Sequence, residues 1–228
     1  MGLFDRFKHN NTSESTATSQ STVSPTVEPT GKEVLLDLNK SGLLNLEKND
    51  FLNLSKTGVN LTNCRASAGW DVQHKGQDYD LDLCAFVKDS NGKLIKSSNS
   101  IVYYGNKKGK GLQLDKDNLT GEGNGDDENI FINFNEIDKN AASVTLAVVI
   151  YCGMSNGQDF SHVKNAFVRL VDQSVKPEKE LCRYNLTDKG GNNTAIEFAE
   201  LQRTSEGWIF KALGNFARVS DIKSFATK

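Results

Sequence analysis

From Glu33 onward the apolar residues recur mainly at every second position. That spacing suits an extended chain with one side in a core, because successive side chains of a strand point to opposite faces. Short strands are predicted at 34–38, 43–46 and 51–54, and longer ones at 59–71 and 80–88. The series continues at 101–104, 111–114, 130–134, 143–152, 167–171, 180–187, 194–202 and 208–213. Asp89-Ser-Asn-Gly92 ahead of Lys93-Leu-Ile is a hairpin signal. Residues 159–164 and 220–225 could each form a turn of helix. In the stretch 78–87, Leu81, Leu83, Ala85 and Val87 fall on one face and Asp80, Asp82, Cys84 and Phe86 on the other. Many short strands at turn-like spacing, with little helix, predict an all-β fold, a two-sheet β-sandwich.

The N-terminus departs from this pattern. Met1 to Lys8 could make two helical turns with Leu3, Phe4 and Phe7 on one side and Asp5, Arg6 and Lys8 elsewhere. So short an amphipathic hook is marginal alone and would give weak, reversible contact with a membrane or a partner. Arg6 stands where an N-myristoylation pattern needs Ser or Thr. Residues 9–32 are rich in Ser and Thr, carry Pro25 and Pro29, and read by composition as a disordered linker. The expected organisation is a disordered N-terminal arm, 1–32, on a globular domain, 33–228.

Composition removes several classes. With 228 residues, 37% of them hydrophobic, a formal charge of -2 and a pI near 6.0, the chain can bury one good-sized core and has no broad basic footprint for nucleic acid. Lys107-Lys108-Gly-Lys110 reads as a solvated loop. No apolar run approaches the ~20 residues that span a bilayer, and the N-terminus lacks a secretory core, so a cytoplasmic location is expected. Cys64, Cys84, Cys152 and Cys182 are dispersed without a C-x-x-C pair, as are His9, His74 and His162. Such cysteines behave as small buried hydrophobes, and no zinc pattern is present. No motif supports a thiol-based reduction of a metalloid oxyanion.

The candidate chemistry lies in Asp115-Lys-Asp-Asn-Leu-Thr-Gly-Glu-Gly-Asn-Gly-Asp-Asp-Glu128, which gathers six acids and three glycines around one lysine. At about 4 Å, two like charges repel by ~4 kcal/mol at the effective dielectric near a protein surface, so a fold that collects them needs an offset. A hard cation such as calcium supplies it through carboxylate, amide and backbone oxygens, with glycines allowing the sharp turns. A solvated hairpin loop is the alternative, since Asn-Gly and Gly-Asp are ordinary turn residues. The EF-hand pattern fails at Leu119. Asp80 and Asp82, at a strand mouth, could complete an oxygen cage or face solvent.

Over about residues 33–216 the chain resembles the tellurium-resistance TerD family of bacterial stress proteins. The resemblance rests on Gly69-Trp-Asp71, Asp80-Leu-Asp-Leu-Cys-Ala-Phe86, Val102-Tyr-Tyr104 and the block Asp117 to Glu128. It continues through Val149-Ile-Tyr151, Asn165-Ala-Phe-Val-Arg-Leu170, Glu180-Leu-Cys-Arg-Tyr184, Thr194-Ala-Ile196 and Gly207-Trp-Ile-Phe-Lys-Ala212. It implies a Ca2+-binding β-sandwich that acts in resistance to tellurite and other chemical or phage stresses. It further implies protein partners in a membrane-associated complex, and hence a peripheral position at the inner face of the membrane for some of the protein. Carried over by motif, the side-chain ligands are Asp71, Asp80, Asp82, Asp117, Asn118, Asp126, Asp127 and Glu128. Thr120, Gly123 and Gly125 would contribute through the backbone. The family usually has an acid where this chain has Asn124, Cys152, Asn185 and Asn193, which puts in doubt a two-ion site like that expected for the family.

The resulting expectation is a non-catalytic binding or sensing module, in which calcium orders the acidic segment and creates a surface for a partner. Asp80 with Asp82, or Asp126 with Asp127, could in principle assist hydrolysis, but no nucleophile–base pair, P-loop or His-rich metal motif accompanies them. A calcium-dependent lipid-docking domain uses the same residues; apolar loop-tip residues would favour it, and Leu119 is the one present.

Overall fold

The structure, a computed structural model, describes residues 24–36, 44–72, 79–97, 99–116, 125–186 and 190–228. The hook residues Leu3, Phe4 and Phe7 lie outside them. In chain order the first strands are β1 (Lys32–Glu33), β2 (Asn45–Leu46), β3 (Asp50–Asn53), β4 (Cys64–Val72), β5 (Leu81–Lys88), β6 (Ile101–Val102) and β7 (Lys108–Gly109). There follow β8 (Leu112–Leu114), β9 (Glu128–Ile132), β10 (Ser143–Ile150), β11 (Val163–Asp172), β12 (Lys179–Asn185), β13 (Ala195–Thr204) and β14 (Gly207–Ala217). Two short helices join them, α1 (Gly153–Asn156) and α2 (Ile222–Ala226).

Among the described residues these strands form two seven-stranded sheets packed together, ordered β1-β3-β14-β13-β10-β5-β6 and β2-β12-β11-β4-β9-β8-β7. The predicted alternation sets the faces. Leu81, Leu83, Ala85 and Val87 of β5 enter the main core, where they meet Ala66, Ala68 and Trp70 of β4 and Ile130 and Ile132 of β9 from the other sheet. Strand β10 is buried at all eight positions. Its outward side chains, with Cys84 and Phe86 of β5, are roofed by Ile222, Phe225 and Ala226 of α2. Phe86 and Phe225 meet edge-on with centroids 5.7 Å apart. Asp221 caps α2, its carboxylate accepting from Ser224 N at 2.8 Å, with a reciprocal bond from Asp221 N to Ser224 Oγ.

Several boundaries differ from the pattern-based expectation. The strand placed at 59–71 begins at Cys64, because the Asn60 side chain accepts from Thr62 N and turns the chain there. The strand placed at 130–134 begins two residues earlier, which makes Glu128 a sheet residue. The hairpin turn is present: Gly92, at φ +73°, donates to the Asp89 carbonyl at 3.0 Å. Residues ahead of β1 also touch the sandwich: the Val27 N–H donates to the Arg203 carbonyl at 2.7 Å, and Lys211 Nζ donates to Thr30 Oγ1 at 2.6 Å. Among the described residues no helix is long and apolar enough to cross a membrane.

Candidate cation site at the acidic end

Strand register brings the candidate acids to one end of the sandwich. Ile150 at the end of β10 lies opposite Leu81 at the start of β5, and Ala68 in the middle of β4 lies opposite Glu128 at the start of β9, so that the second half of β4 runs on past β9 to Asp71. The acidic run itself is the β8–β9 connection. It leaves the sheet at Asp115, whose N–H bonds the Asn129 carbonyl at 2.9 Å, and is described again from Gly125.

Two of its carboxylates complete the backbone of neighbouring strands. Glu128, only 1% exposed, points between the sheets and accepts from Leu83 N at 2.7 Å. Pairing of β5 with β6 is confined to Ala85 and Phe86, so the Glu128 oxygen takes the place of a missing ladder carbonyl and ties one sheet to the other. Asp127 does the same within its own sheet. Its N–H donates to Ala68 O and its Oδ2 accepts from Trp70 N, both at 2.9 Å, one step past the end of the β4–β9 register. Burial raises the Asp127 pKa; the Trp70 N–H opposes this, while the charges of Asp71 and Asp126 add to it. Burial and these neighbouring charges together disfavour the ionised form of Asp127.

The other acids stand close by. Asp71 is exposed at the end of β4 and accepts from Asn165 Nδ2 at 2.7 Å, where a bulge puts Asn165 at φ +52°. Asp82 is 2% exposed. Burial is the main reason the Cys84 thiol is pushed well up, with Asp82 and Glu128 adding their charges. The Asp80 carbonyl accepts from Tyr151 N at 2.8 Å. Tyr104 and Tyr151 pack edge-on at 5.7 Å between centroids. The Tyr104 phenol is raised by burial and then by Asp82; that of Tyr151 is raised chiefly by Cys152, with Asp80 and Asp82 contributing.

Asp126 is used differently. Gly69 leaves a notch on the outer face of the second sheet, into which the Gly125 carbonyl and the Phe167 ring both project; a Cβ at Gly69 would lie 2.5 Å from each. Gly125 itself sits at φ +112°, a conformation that only glycine adopts readily. This path delivers Asp126, whose side chain is 8% exposed, to two arginines. Arg65 Nη1 donates to its Oδ2 at 2.8 Å, and Arg169 donates Nε to Oδ1 at 2.8 Å and Nη2 to Oδ2 at 2.7 Å. Burial alone would lower the Arg169 pKa, but its bonds to Asp126 and Glu180 outweigh this and hold it well above the usual value.

Asp117, Asn118, Thr120 and Gly123 lie outside the described residues, as does Asn124. Among the described residues no three His, Cys, Asp or Glu side chains converge as a ready ligand cluster. What is assembled is Asp71 near Asp127, and Asp82 and Glu128 near enough to Cys84 for both charges to raise its thiol. All are hard oxygen donors, the chemistry that suits calcium or magnesium. Of the positions where an acid was expected, Asn185 bonds Asn45 Oδ1 at 3.1 Å and Asn193 donates to the Gly190 carbonyl at 2.7 Å. Cys152 is an exposed free thiol at φ +51°.

Asp159, Ser161 and His162 also adjoin. Ser161 Oγ lies 3.0 Å from His162 Nδ1, but Asp159 approaches that same ring nitrogen, at 3.5 Å, and caps the Phe160–His162 turn. In a hydrolase triad the acid orients the imidazole through the other nitrogen. Little in the sequence alone sets Arg65 and Arg169 apart, since an arginine on the polar face of a strand is ordinarily solvated. The available signal was that Arg169 sits mid-strand between Val168 and Leu170, inside one of the motif blocks.

The TerD domain profile matches residues 43–228. Tellurium resistance protein TerD of an Alcaligenes species is 35% identical over 162 residues, 70% of this chain and 83% of that protein. General stress protein 16U of Bacillus subtilis is 35% identical over 163 residues, again 70% and 83%. Stress response protein SCP2 of Bacillus subtilis is 34% identical over 183 residues, 73% of this chain and 90% of its own. The crystal structure of a telluride resistance protein homologue from Streptomyces coelicolor superposes with a TM-score of 0.57 at 21% identity, covering 75% of this chain and 97% of that one, which shows the shared fold.

Proposed function

Because the chain belongs to the TerD domain family, we propose that it is a stress-response module whose acidic end binds calcium and which acts by binding or sensing, not by catalysis. The observation that supports this best is the gathering of Asp71, Asp80, Asp82, Asp127 and Glu128 at one end of the sandwich, with Asp127 raised by burial and by neighbouring negative charge. A divalent cation relieves that repulsion. Asp71 and Asp127 would hold it from the second sheet, Asp80 and Asp82 from the start of β5 in the first sheet, and Glu128 from between the sheets, joined by Asp117, Asn118, Thr120, Gly123 and Gly125 as the motif assigns them. Bound there, calcium would order the β8–β9 connection and so present a surface to a protein partner in a membrane-associated complex.

Calcium titration of the chain tests the reading. An ion that binds the native state alone stabilises it by ~2.7 kcal/mol at a hundredfold excess over its dissociation constant. For a fold of this size that is a rise in melting temperature of about 5–11 °C. One tight site is expected, with any second one weaker, because Asn185 and Asn193 supply no charge. Identical melting in saturating calcium and in chelator refutes the proposal.

A further inference from the structure

The arginine contacts around Asp126 close on themselves. Arg169 Nη1 donates to Glu180 Oε2 at 2.5 Å, Glu180 Oε1 accepts from Arg183 Nε at 2.8 Å, and the Arg183 guanidinium stacks 4.0 Å from the centroid of Phe167. Phe167 in turn fills the Gly69 notch beside the Gly125 carbonyl. On the other flank, Arg65 is fixed by Asn129 Oδ1 at 2.8 Å and Glu178 Oε2 at 2.9 Å. Residues 125 and 126 are thus seated within a ring of contacts drawn from β4, β9, β11 and β12, immediately before Asp127 and Glu128.

We propose that Arg65 and Arg169 are positioning residues of the cation site, anchoring the C-terminal end of the acidic segment through Asp126, so that Asp126 is spent on the arginines and does not ligate the ion. This rests on the calcium reading above. An ion that recruited Asp126 would have to approach two guanidinium charges already bonded to both its oxygens, whereas Asp127 faces Trp70 N and the Asp71 carboxylate. Anchoring and ligation are divided between consecutive residues. The division also predicts a sign. Removing a cation near the site would, by Coulomb's law alone, tighten calcium binding, whereas losing the anchor weakens it.

Calorimetric calcium titration of the full chain distinguishes these, using wild type, Arg169→Gln, Arg169→Lys, Arg65→Gln, Asp126→Asn and the Arg169→Gln/Asp126→Asn double variant, each checked by circular dichroism. Arg169→Gln should weaken binding by about tenfold or more, as loss of the groups that orient metal ligands does. Arg169→Lys keeps the charge but lacks the fork, and should be similarly weak; should Arg169→Gln fail to fold, Arg169→Lys and Arg65→Gln carry the comparison. The double variant should bind no more weakly than the weaker single, because Asp126 acts through the arginines. Unchanged or tighter binding in Arg169→Gln overturns the proposal, and additive losses would make Asp126 a ligand. A calcium-free arm reads the anchor directly: amide hydrogen exchange at residues 126–129 should accelerate in Arg169→Gln while β13 and β14 exchange as in wild type. Unchanged exchange there overturns the anchoring, and wild type that takes up no calcium overturns the calcium reading, so the two failures are distinct.

Discussion

Replacing Gly69 by alanine would put one methyl group into the notch that seats the acidic segment. The added carbon would stand 2.5 Å from the Gly125 carbonyl oxygen and 2.5 Å from two atoms of the Phe167 ring, roughly 1 Å inside a favourable contact. Neither neighbour can yield alone. Phe167 is stacked by Arg183, and Gly125 at φ +112° leads directly into Asp126 in its arginine grip. Overpacking of this kind costs about 1–3 kcal/mol, which in a fold of this size lowers the melting temperature by roughly 2–12 °C. Moving Gly125 also moves Asp127, so calcium affinity should fall together with stability. Gly92→Ala is the control. Gly92 lies in the hairpin at the far end of β5, at φ +73° with open space around its Cβ position. Its replacement should cost about 1–2 kcal/mol of backbone strain and leave calcium affinity untouched. Thermal melts and calorimetry on both variants, with and without calcium, decide the matter. A Gly69→Ala protein as stable as wild type with the same calcium affinity refutes the steric argument.

Substitutions at two further positions probe separate parts of the fold. Glu128→Gln keeps an oxygen for Leu83 N and removes the charge, so it should fold without calcium yet lose most of the calcium-induced rise in melting temperature. Glu128→Ala leaves that buried N–H without an acceptor and should cost about 1–3 kcal/mol in urea denaturation; equal stability of the two variants would deny the bridge between sheets. Asp221→Ala removes the cap of α2, at a cost of about 1 kcal/mol. The Asp221 carboxyl is held below its usual range, first by the Ser224 N–H, so its stabilisation is present above the unfolded-state value of about 3.9 and is lost as pH falls through the lower folded value. Wild type should therefore exceed Asp221→Ala in stability at pH 7 and match it at strongly acid pH, and a gap independent of pH would contradict this.

The fold class was legible along the chain because alternation is a local property of an extended backbone. Leu81, Leu83, Ala85 and Val87 had to share a face whatever they packed against, and they do. The acidic run and the ordered motif blocks were likewise visible, since they are contiguous residues. Which acid does what was not. Asp126, Asp127 and Glu128 look alike in sequence, yet Asp126 meets Arg65 and Arg169, 61 and 43 residues away, and Glu128 meets Leu83, 45 residues away. Such pairings depend on strand order and register, which follow from the balance of long-range burial and hydrogen bonding over the whole sandwich. The roof that α2 places over Phe86 belongs to the same class: residues 220–225 announced a helical turn, but only the packed first sheet supplied the apolar face on which it settled. Sequence alone determined the kinds of residue available, and the tertiary structure decided which carboxylates are spent on the fold, because a side chain's partners are set by where distant strands bring it.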